Sequence, residues 1–475
     1  MNNTTITLSL LCSLLLGGCA IGPDYERPQN SAPTSFRYSD GNTSTTIDKA
    51  WWNHFDDNYL NKSIEEALAH NFDLISASAS VDAMLGKFDT AKSYLYPQIN
   101  ANGSLTRQGV NGTDTYQLKD GVTSTYAANL SLATYEIDLF GKVRRANEAV
   151  RAQLLATEFS HQTLKISISA NVAASYIKIS SLNSQIALAR ENIKASEDIY
   201  NFNKLKYQYG TIAQTTLLQS SAEVQNAKAI ASQLEASKIA EEANFNLLLG
   251  RNPTNVTTTE LDKITLPTLP SALPSQILQN RPDIALAEQN LISANAKIGI
   301  ARAEYYPSIQ LTGMGGIQSL DLSNFTSNPT TIWKILPSIT LPIFTAGRVE
   351  GDIKTAEAEH TQMLAAYQKA IVNAFNDADN AIAQNSKSND QLRYQKERSE
   401  AIKIAFDQAK LRYNVGTISY NDLLIVQQQW LSAQQSYLQA RQNNLISTVN
   451  LYKAFGGGWD NTQNVPNPNI LPAGR

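Results

Sequence analysis

The sequence has little of what enzymes and metal proteins commonly use at their sites. Among 475 residues there are only two cysteines, Cys12 and Cys19, both close to the N-terminus. The rest of the chain therefore has no thiol for a disulfide, a thiolate metal site or a nucleophile. The four histidines lie far apart and show no ligand spacing. We expect no enzyme activity, no cofactor and no metal site. The histidines are His54, His70, His161 and His360.

Charge and long apolar runs are also scarce. Charged residues make up 17 % of the chain, the formal net charge is −3, and the basic residues are scattered. Nucleic-acid binding needs a clustered basic face, so no nucleic-acid partner is expected. After residue 19 no apolar stretch approaches the ~20 residues of a membrane helix. If the chain crosses a membrane, it must do so as a β-barrel.

The N-terminus has the pattern of an export signal. Residues 6–16 form an apolar run of signal-peptide length, followed by Gly17-Gly18-Cys19. This resembles a bacterial lipobox, and it predicts a signal peptide over 1–18 and acylation of Cys19. Ala20 in place of Asp favours, by resemblance to Gram-negative lipoproteins, the outer membrane and its lipid as a partner. The alternative is a plain apolar leader with an incidental cysteine.

What the sequence does contain is one large unit repeated in tandem. Matching positions in the two copies lie 206 or 210 residues apart, which is too long for a solenoid repeat and indicates a duplication. The matching positions are Tyr96-Pro97 and Tyr306-Pro307, Gly141 and Gly347, Tyr209-Gly210-Thr211 and Val415-Gly416-Thr417, and Gly250 and Gly456.

Each copy predicts a helix, a β-hairpin, a very long helix and a return helix. Alternation of apolar and polar residues predicts the strands, and 67 proline-free residues predict each long helix, about 100 Å in length. Gly-Thr turns then reverse the chain. The predicted boundaries are an acylated tether over 19–56, a first repeat over 57–250 (strands about 98–108 and 126–140, long helix 142–208), a linker over 251–273, a second repeat over 274–456 (strands about 308–318 and 332–344, long helix 348–414) and a tail over 457–475.

Such a unit cannot be complete by itself. Four strands are too few to close a transmembrane barrel, since the smallest known has eight. An open edge in lipid would leave backbone groups unsatisfied, and a long helical hairpin has no core of its own. Several copies must therefore pool their strands and helices, and the result is a conduit.

A set of motifs in fixed order resembles the TolC-type outer-membrane factors, especially their lipoprotein branch. The resemblance covers nearly all of the chain after residue 18. The motifs are residues 19–28, Trp51-Trp52 with Phe55, Asp57 and Leu60, residues 135–141, residues 281–301, residues 341–344 with Gly347, and residues 454–459.

The resemblance implies the fold class and the partners. It implies an α+β membrane protein, a homotrimer whose 12-stranded β-barrel continues into a periplasmic α-helical barrel. It further implies a lipid-anchored protein of the Gram-negative outer membrane that extends into the periplasm. There it would dock a periplasmic adaptor (membrane fusion) protein, and indirectly an inner-membrane pump. The expected function is a passive exit duct of a tripartite efflux system for drugs or other small molecules. The alternatives are the outer component of type I protein secretion and a periplasmic coiled-coil scaffold without a pore.

The same resemblance assigns residues to a gate. Asp422 aligns with an aspartate at the closed aperture, where three copies would form an anionic ring that favours cations. Asp422 could instead be a helix N-terminal carboxylate that interacts with the macrodipole. Tyr413 matches a tyrosine that holds the closed tip by hydrogen bonds. Ile425 and Ile418 stand where relatives carry a second aspartate and an arginine.

Two further groups of residues complete the expectations. Hairpin turns at the periplasmic tips would be the adaptor-docking surface. These turns contain Gly210, Thr211, Gly416 and Thr417. Helix caps and a salt bridge are expected from a second, structural group. That group consists of Asp73, Arg281, Pro282 and Asp283.

Overall fold

The computed structural model describes residues 20–29, 36–38, 50–110, 121–267, 281–457 and 459. The predicted signal peptide, Cys19 and nearly all of the C-terminal tail lie outside these ranges. Among the helices of the described ranges, none is both long enough and apolar enough to span a membrane.

The first helical segment is divided in two. Helix α1 covers Asn58–His70 and helix α2 covers Phe72–Ser93. The break falls at Asn71, whose extended backbone ends α1. The Asn71 side chain then accepts hydrogen bonds from the backbone N–H groups of Asp73 and Leu74, which caps the start of α2.

Two pairs of long helices follow the strands. In the first repeat these are α3, Lys142–Gln208, and α4, Gln214–Leu248. A shorter helix, α5, covers Pro282–Ala303. The second repeat has α6, Arg348–Asn414, and α7, Tyr420–Ala454. The long helices both have 67 residues and the return helices both have 35, so the duplication is reproduced residue for residue in these elements.

Four antiparallel strands form one sheet in the order β1-β2-β3-β4. The strands are β1, Ile99–Val110; β2, Gly121–Ile137; β3, Ser308–Ser319; and β4, Thr330–Thr340. Because β2 pairs with β3, the hairpins of the two repeats are joined through backbone hydrogen bonds. The β2–β3 pairing shifts register between Leu132 and Tyr135, as expected for a β-bulge.

The predicted strand ends were wrong in the first hairpin and in β4. The predicted strands, about 98–108 and 126–140, left residues 109–125 unpaired. In the structure β1 continues to Val110 and β2 already begins at Gly121, because residues 106–110 pair in register with 121–125. At its other end β2 stops at Ile137, since the next carboxylate, Asp138, accepts the first N–H groups of α3.

The predicted end of β4 was also wrong. We predicted that it runs to Phe344, but it ends at Thr340. The alternation of apolar residues continues to Phe344, yet Pro342 has no N–H to donate to a ladder. Pro337 is tolerated inside β4 because β4 is an edge strand.

The chain forms two compact units, and each repeat supplies segments to both. Among the residues that the structure describes, one unit comprises those within 1–29, 80–158 and 286–368, and it contains the sheet. The other comprises the described residues within 30–79, 159–285 and 369–475. Its core is an apolar cluster of helix side chains and the 3-10 turn Trp51–Phe55. The largest members are Trp51, Phe55, Leu60, Ile64, Tyr176, Phe245, Leu445 and Tyr452.

Candidate functional site

The two Gly-Thr turns have the same backbone geometry. Gly210 has φ +70° and Gly416 has φ +80°, a left-handed conformation that glycine adopts at low cost. The N–H of Thr211 donates to the Lys206 carbonyl, and the N–H of the preceding glycine donates to Tyr207. The second turn repeats this pattern with Arg412 and Tyr413. Both long helices therefore end in a Schellman motif, which sets the direction of the return helix.

The return helices begin differently. Ala213 precedes α4 and provides no side-chain cap. Ser419 precedes α7, and its hydroxyl accepts the N–H of Asp422 at 3.2 Å while its own N–H donates to the Asp422 carboxylate at 3.0 Å. This reciprocal arrangement is a capping box. Side-chain hydrogen bonds therefore fix the start of the return helix in the second repeat, and the first repeat has no such bonds at the start of α4.

Asp422 is exposed and ionised. Hydrogen bonds from the hydroxyl and the backbone N–H of Ser419 lower the pKa of its carboxyl below the ordinary value, because both stabilise the charged form. In the isolated chain Asp422 is thus a helix N-terminal carboxylate. Among the described residues, no group of three His, Cys, Asp or Glu side chains could share a metal ion.

Tyr413 is buried at the end of α6. Its hydroxyl donates a hydrogen bond to the side-chain oxygen of Asn203 on α3. Burial raises the pKa of the Tyr413 phenol, so the hydroxyl stays protonated and remains a donor. The ammonium group of Lys206 lies 4.3 Å from the centre of the Tyr413 ring and 4.5 Å from that of Phe202, a cation–π arrangement that favours the buried ring positions.

Hydrogen bonds between buried side chains also join α7 to α3, a contact that was not predicted from the sequence. The Gln427 amide donates to Asn192 at 2.9 Å and to Ser196 at 3.0 Å, and all three side chains are almost fully buried. A signal was available, because Gln427 lies four residues after Leu423 and three before Trp430, on an otherwise apolar stripe. A buried amide on such a stripe needs a partner.

An apolar cluster surrounds these contacts at the tip of the second repeat. Phe406 stacks on Trp430 with ring centres 4.7 Å apart. Ile418 packs against the same cluster as Tyr413. Asp422 and Ile425 are instead exposed, one helical turn apart on α7. The structure thus brings Tyr413 and Ile418 into one cluster and leaves Asp422 and Ile425 outside it.

The residues expected to be structural lie at two helix starts. Arg281 forms a bidentate ion pair with Asp283 at 2.6 and 3.0 Å, and it donates to the carbonyl of Ala454 at the end of α7. Pro282 is the first residue of α5, where its missing N–H costs nothing. At the equivalent start of α2 the cap is Asn71, and Asp73 lies in the first turn instead.

Comparison with known proteins gives a consistent set of similarities. A family model described as outer membrane efflux protein matches residues 63–251 and 273–457. The chain is 32 % identical over 469 residues to the probable efflux pump outer membrane protein TtgC of Pseudomonas putida, covering 97 % of this chain and 96 % of that one. It is 30 % identical over 459 residues to the cation efflux system protein CusC of Escherichia coli, covering 95 % and 98 %.

Solved structures give the same picture. The fold is similar to that of the MtrE outer membrane channel of Neisseria gonorrhoeae in its open state, with a TM-score of 0.83 and 30 % identity over 93 % of this chain and 99 % of that one. It is also similar to the CmeC outer membrane channel of Campylobacter jejuni, with a TM-score of 0.85 and 25 % identity over 93 % and 96 %.

Proposed function

The chain belongs to the outer membrane efflux protein family, whose members are channel and transport proteins, and on that premise we propose that it is the outer-membrane exit duct of a tripartite efflux system. It conducts drugs or other small molecules passively, and an inner-membrane pump supplies the energy through a periplasmic adaptor protein. The observation that carries the proposal is the match along almost the whole chain to proteins named as efflux pump outer membrane components.

The proposed assembly is a homotrimer anchored in the outer membrane through Cys19. Two features of the sheet support an assembly of several copies. Strands β1 and β4 are the edges of the four-stranded sheet, and each leaves one row of backbone groups for another chain. Large apolar side chains are also exposed along the strands. Examples are Leu105, Leu130, Trp333, Ile335 and Ile339.

The proposed gate is the tip of the second repeat. The hydrogen bonds of Tyr413 with Asn203 and of Gln427 with Asn192 tie the second helical hairpin to α3. Opening the aperture by moving this hairpin outward would break them. Such bonds between buried groups are costly to lose, so they favour the closed arrangement.

The proposed aperture lining comes from α7. Asp422 and Ile425 are exposed there, so three copies around an axis would form one anionic and one apolar ring. The anionic ring would favour cations. Ile418 would contribute through its packing against the tip cluster.

The proposed adaptor-docking surface consists of the two Gly-Thr turns. Gly210 and Thr211 form one, and Gly416 and Thr417 form the other. The residue before each glycine supports this role, because Tyr209 is 82 % exposed and Val415 is 76 % exposed. An apolar side chain on each turn suits contact with a helical partner tip.

Conductance of the purified full-length protein in planar bilayers tests the proposal. We expect small, cation-preferring currents from the wild type and larger ones from a Tyr413→Phe/Gln427→Leu double variant. A correctly assembled protein that gives no channels with either sequence would favour a scaffold without a pore. Restoration of protein secretion, but not of drug export, in a strain lacking its own duct would favour type I secretion.

A further inference from the structure

A cavity of about 520 Å³ lies in the unit that contains the sheet, between the end of α2, the C-terminal end of β2 and the start of α3. Its apolar wall includes Ala91, Val143 and Ile300. Polar side chains of both charges line the rest. They include Lys87, Tyr94, Tyr96, Tyr135, Glu136 and Lys142.

The chemistry of this lining is that of a membrane-interface site. Tyrosine is enriched where apolar and aqueous phases meet, since its ring is apolar and its hydroxyl polar. Tyr94 and Tyr96 are 60 % and 62 % exposed, and the Tyr135 hydroxyl donates to the Leu95 carbonyl at 3.3 Å. Basic side chains beside an apolar wall are the combination that holds phosphate-bearing lipid head groups.

The charges suit a phospholipid head group rather than an uncharged hydrocarbon. Lys142 lies 3.4 Å from Glu304, a long ion pair with 41 % of the lysine side chain exposed, so its ammonium group can bind a further anion. Lys87 adds a second positive charge. Glu136 supplies one carboxylate, which can pair with the amine of a zwitterionic head group.

The chain itself places this cavity next to the expected membrane anchor. Ala20 follows the predicted acylation site, and a Cβ on Gly141 would come within 2.6 Å of the Ala20 Cα. The N–H of Ile21 donates to the Phe140 carbonyl at 3.0 Å. Since Gly141 immediately precedes Lys142, the N-terminal segment is fixed one residue from the cavity lining. An anchor on residue 19 would therefore keep the cavity at the membrane surface.

We propose that this cavity binds a glycerophospholipid from the periplasmic leaflet of the outer membrane. The phosphate lies against the ammonium groups of Lys87 and Lys142, and an acyl chain lies on the apolar wall. This inference rests on the proposed function in one respect, which is that the protein lies in the outer membrane. The bound lipid would fill the space between helix and sheet and stabilise the position of the hairpins in the bilayer.

Native mass spectrometry of the full-length assembly in nanodiscs tests the proposal. Nanodiscs of phosphatidylglycerol, of phosphatidylethanolamine and of an uncharged glycolipid separate the head-group sources. We expect retained phospholipid from the first two and none from the third. Lys87→Gln should lower retention about fivefold, the equivalent of about 1 kcal/mol per basic side chain at a lipid surface. Ala91→Phe should lower retention by obstructing the apolar wall on which the acyl chain lies.

Lys354→Gln is the matched control, because Lys354 is an exposed lysine of the same unit that does not line the cavity. Equal retention by the wild type and Ala91→Phe, or equal retention of the uncharged lipid, would overturn the proposal. Complete cross-linking of a Lys87→Cys variant to another copy of the chain would also overturn the proposal. Such a result would mean that a second chain covers the cavity. Planar-bilayer currents from the same preparations separate the lipid site from the proposed exit duct. Channel activity without retained lipid would contradict the lipid site and leave the exit duct supported.

Discussion

The hydroxyl of Tyr413 on α6 donates a hydrogen bond to the side-chain oxygen of Asn203 on α3, and both side chains are almost completely buried. The two residues lie 210 positions apart, so one bond links the two repeats. The other side-chain polar atom of Asn203, Nδ2, has no partner. Tyr413→Phe would leave the whole Asn203 amide unsatisfied, at a cost of about 1–3 kcal/mol.

We therefore expect Tyr413→Phe to shift the tip toward the open arrangement. The measurable result is a higher mean conductance in planar bilayers and faster uptake of a large antibiotic by cells. Tyr207→Phe is the matched control, because Tyr207 is the equivalent residue of the first repeat and is 41 % exposed. An equal effect of the two variants would contradict a latch at Tyr413.

The contact of Gln427 with Asn192 and Ser196 makes a second prediction. Gln427→Leu keeps the approximate volume of the side chain but leaves two buried partners unsatisfied, so we expect a loss of about 1–3 kcal/mol at the tip. Adding Asn192→Leu and Ser196→Ala to the same chain should recover much of this loss, because no polar group is then left without a partner. Thermal unfolding and conductance measure the two effects.

Gln428→Leu is the control for that series, since Gln428 is the next residue and is exposed. Its unfolding temperature and conductance should stay close to those of the wild type. If the triple variant is less stable than Gln427→Leu alone, the three side chains contribute by packing shape and not through their hydrogen bonds.

These contacts mark the limit of what the sequence could predict. The bounds of α3 and α6 are local properties, since an uninterrupted helical pattern and a following Gly-Thr turn define them. The pairing of Tyr413 with Asn203 is not local, because it depends on which faces of two long helices meet. Nothing in the periodicity distinguishes Tyr413, which is buried, from Tyr207, which is exposed.

The predictions of the strand ends, and of Asp73 as a helix cap, were wrong for a related reason. Apolar alternation continues past Thr340 to Phe344, and only the backbone chemistry of Pro342 ends the ladder. Asn71 and Asp73 are both good capping residues, and the chain geometry at the end of α1 selects Asn71. In each case a hydrogen bond of the backbone determines where the strand ends or which residue caps the helix. The pattern of apolar and polar side chains does not show this bond.

If Asp422 lines the aperture as proposed, we expect the capping box of α7 to keep the channel cation-preferring in acid. Ser419 lowers the pKa of the Asp422 carboxyl below its ordinary value of 3.8. A carboxyl with a lowered pKa in the folded state contributes its stabilisation above the unfolded value, and the contribution is lost as pH falls through the folded pKa. Asp422 should therefore stay charged, and the channel cation-preferring, to a lower pH than in a chain without the Ser419 hydrogen bonds.

Ser419→Ala removes the hydroxyl that contributes most to this shift. We expect the midpoint at which cation preference disappears to move to higher pH, as measured by reversal potentials across a salt gradient. Asp422→Asn should abolish the preference at every pH. A midpoint unchanged by Ser419→Ala, or a preference that survives Asp422→Asn, would place the selective charge elsewhere in the duct.

Gly22 makes the last prediction, which concerns the N-terminal segment of residues 20–29. Its φ of +105° lies in the region that favours glycine, and an added Cβ would come within 2.5 Å of the Gly299 backbone. Gly22→Ala must therefore displace the segment from α5. The ion pair of Asp24 with Arg145 at 2.7 Å would be strained or lost with it.

We expect hydrogen exchange across residues 20–29 to become at least ~10-fold faster in Gly22→Ala, since about 1.4 kcal/mol of local stability corresponds to a factor of ten. Gly86→Ala is the control, because a Cβ there meets nothing within 4 Å and the site is helical. Alanine favours a helix over glycine by up to ~1 kcal/mol, so the control should be unchanged or slightly more stable. Unchanged exchange in Gly22→Ala would mean that the segment is held by its ion pairs and not by the close approach of Gly22 to Gly299.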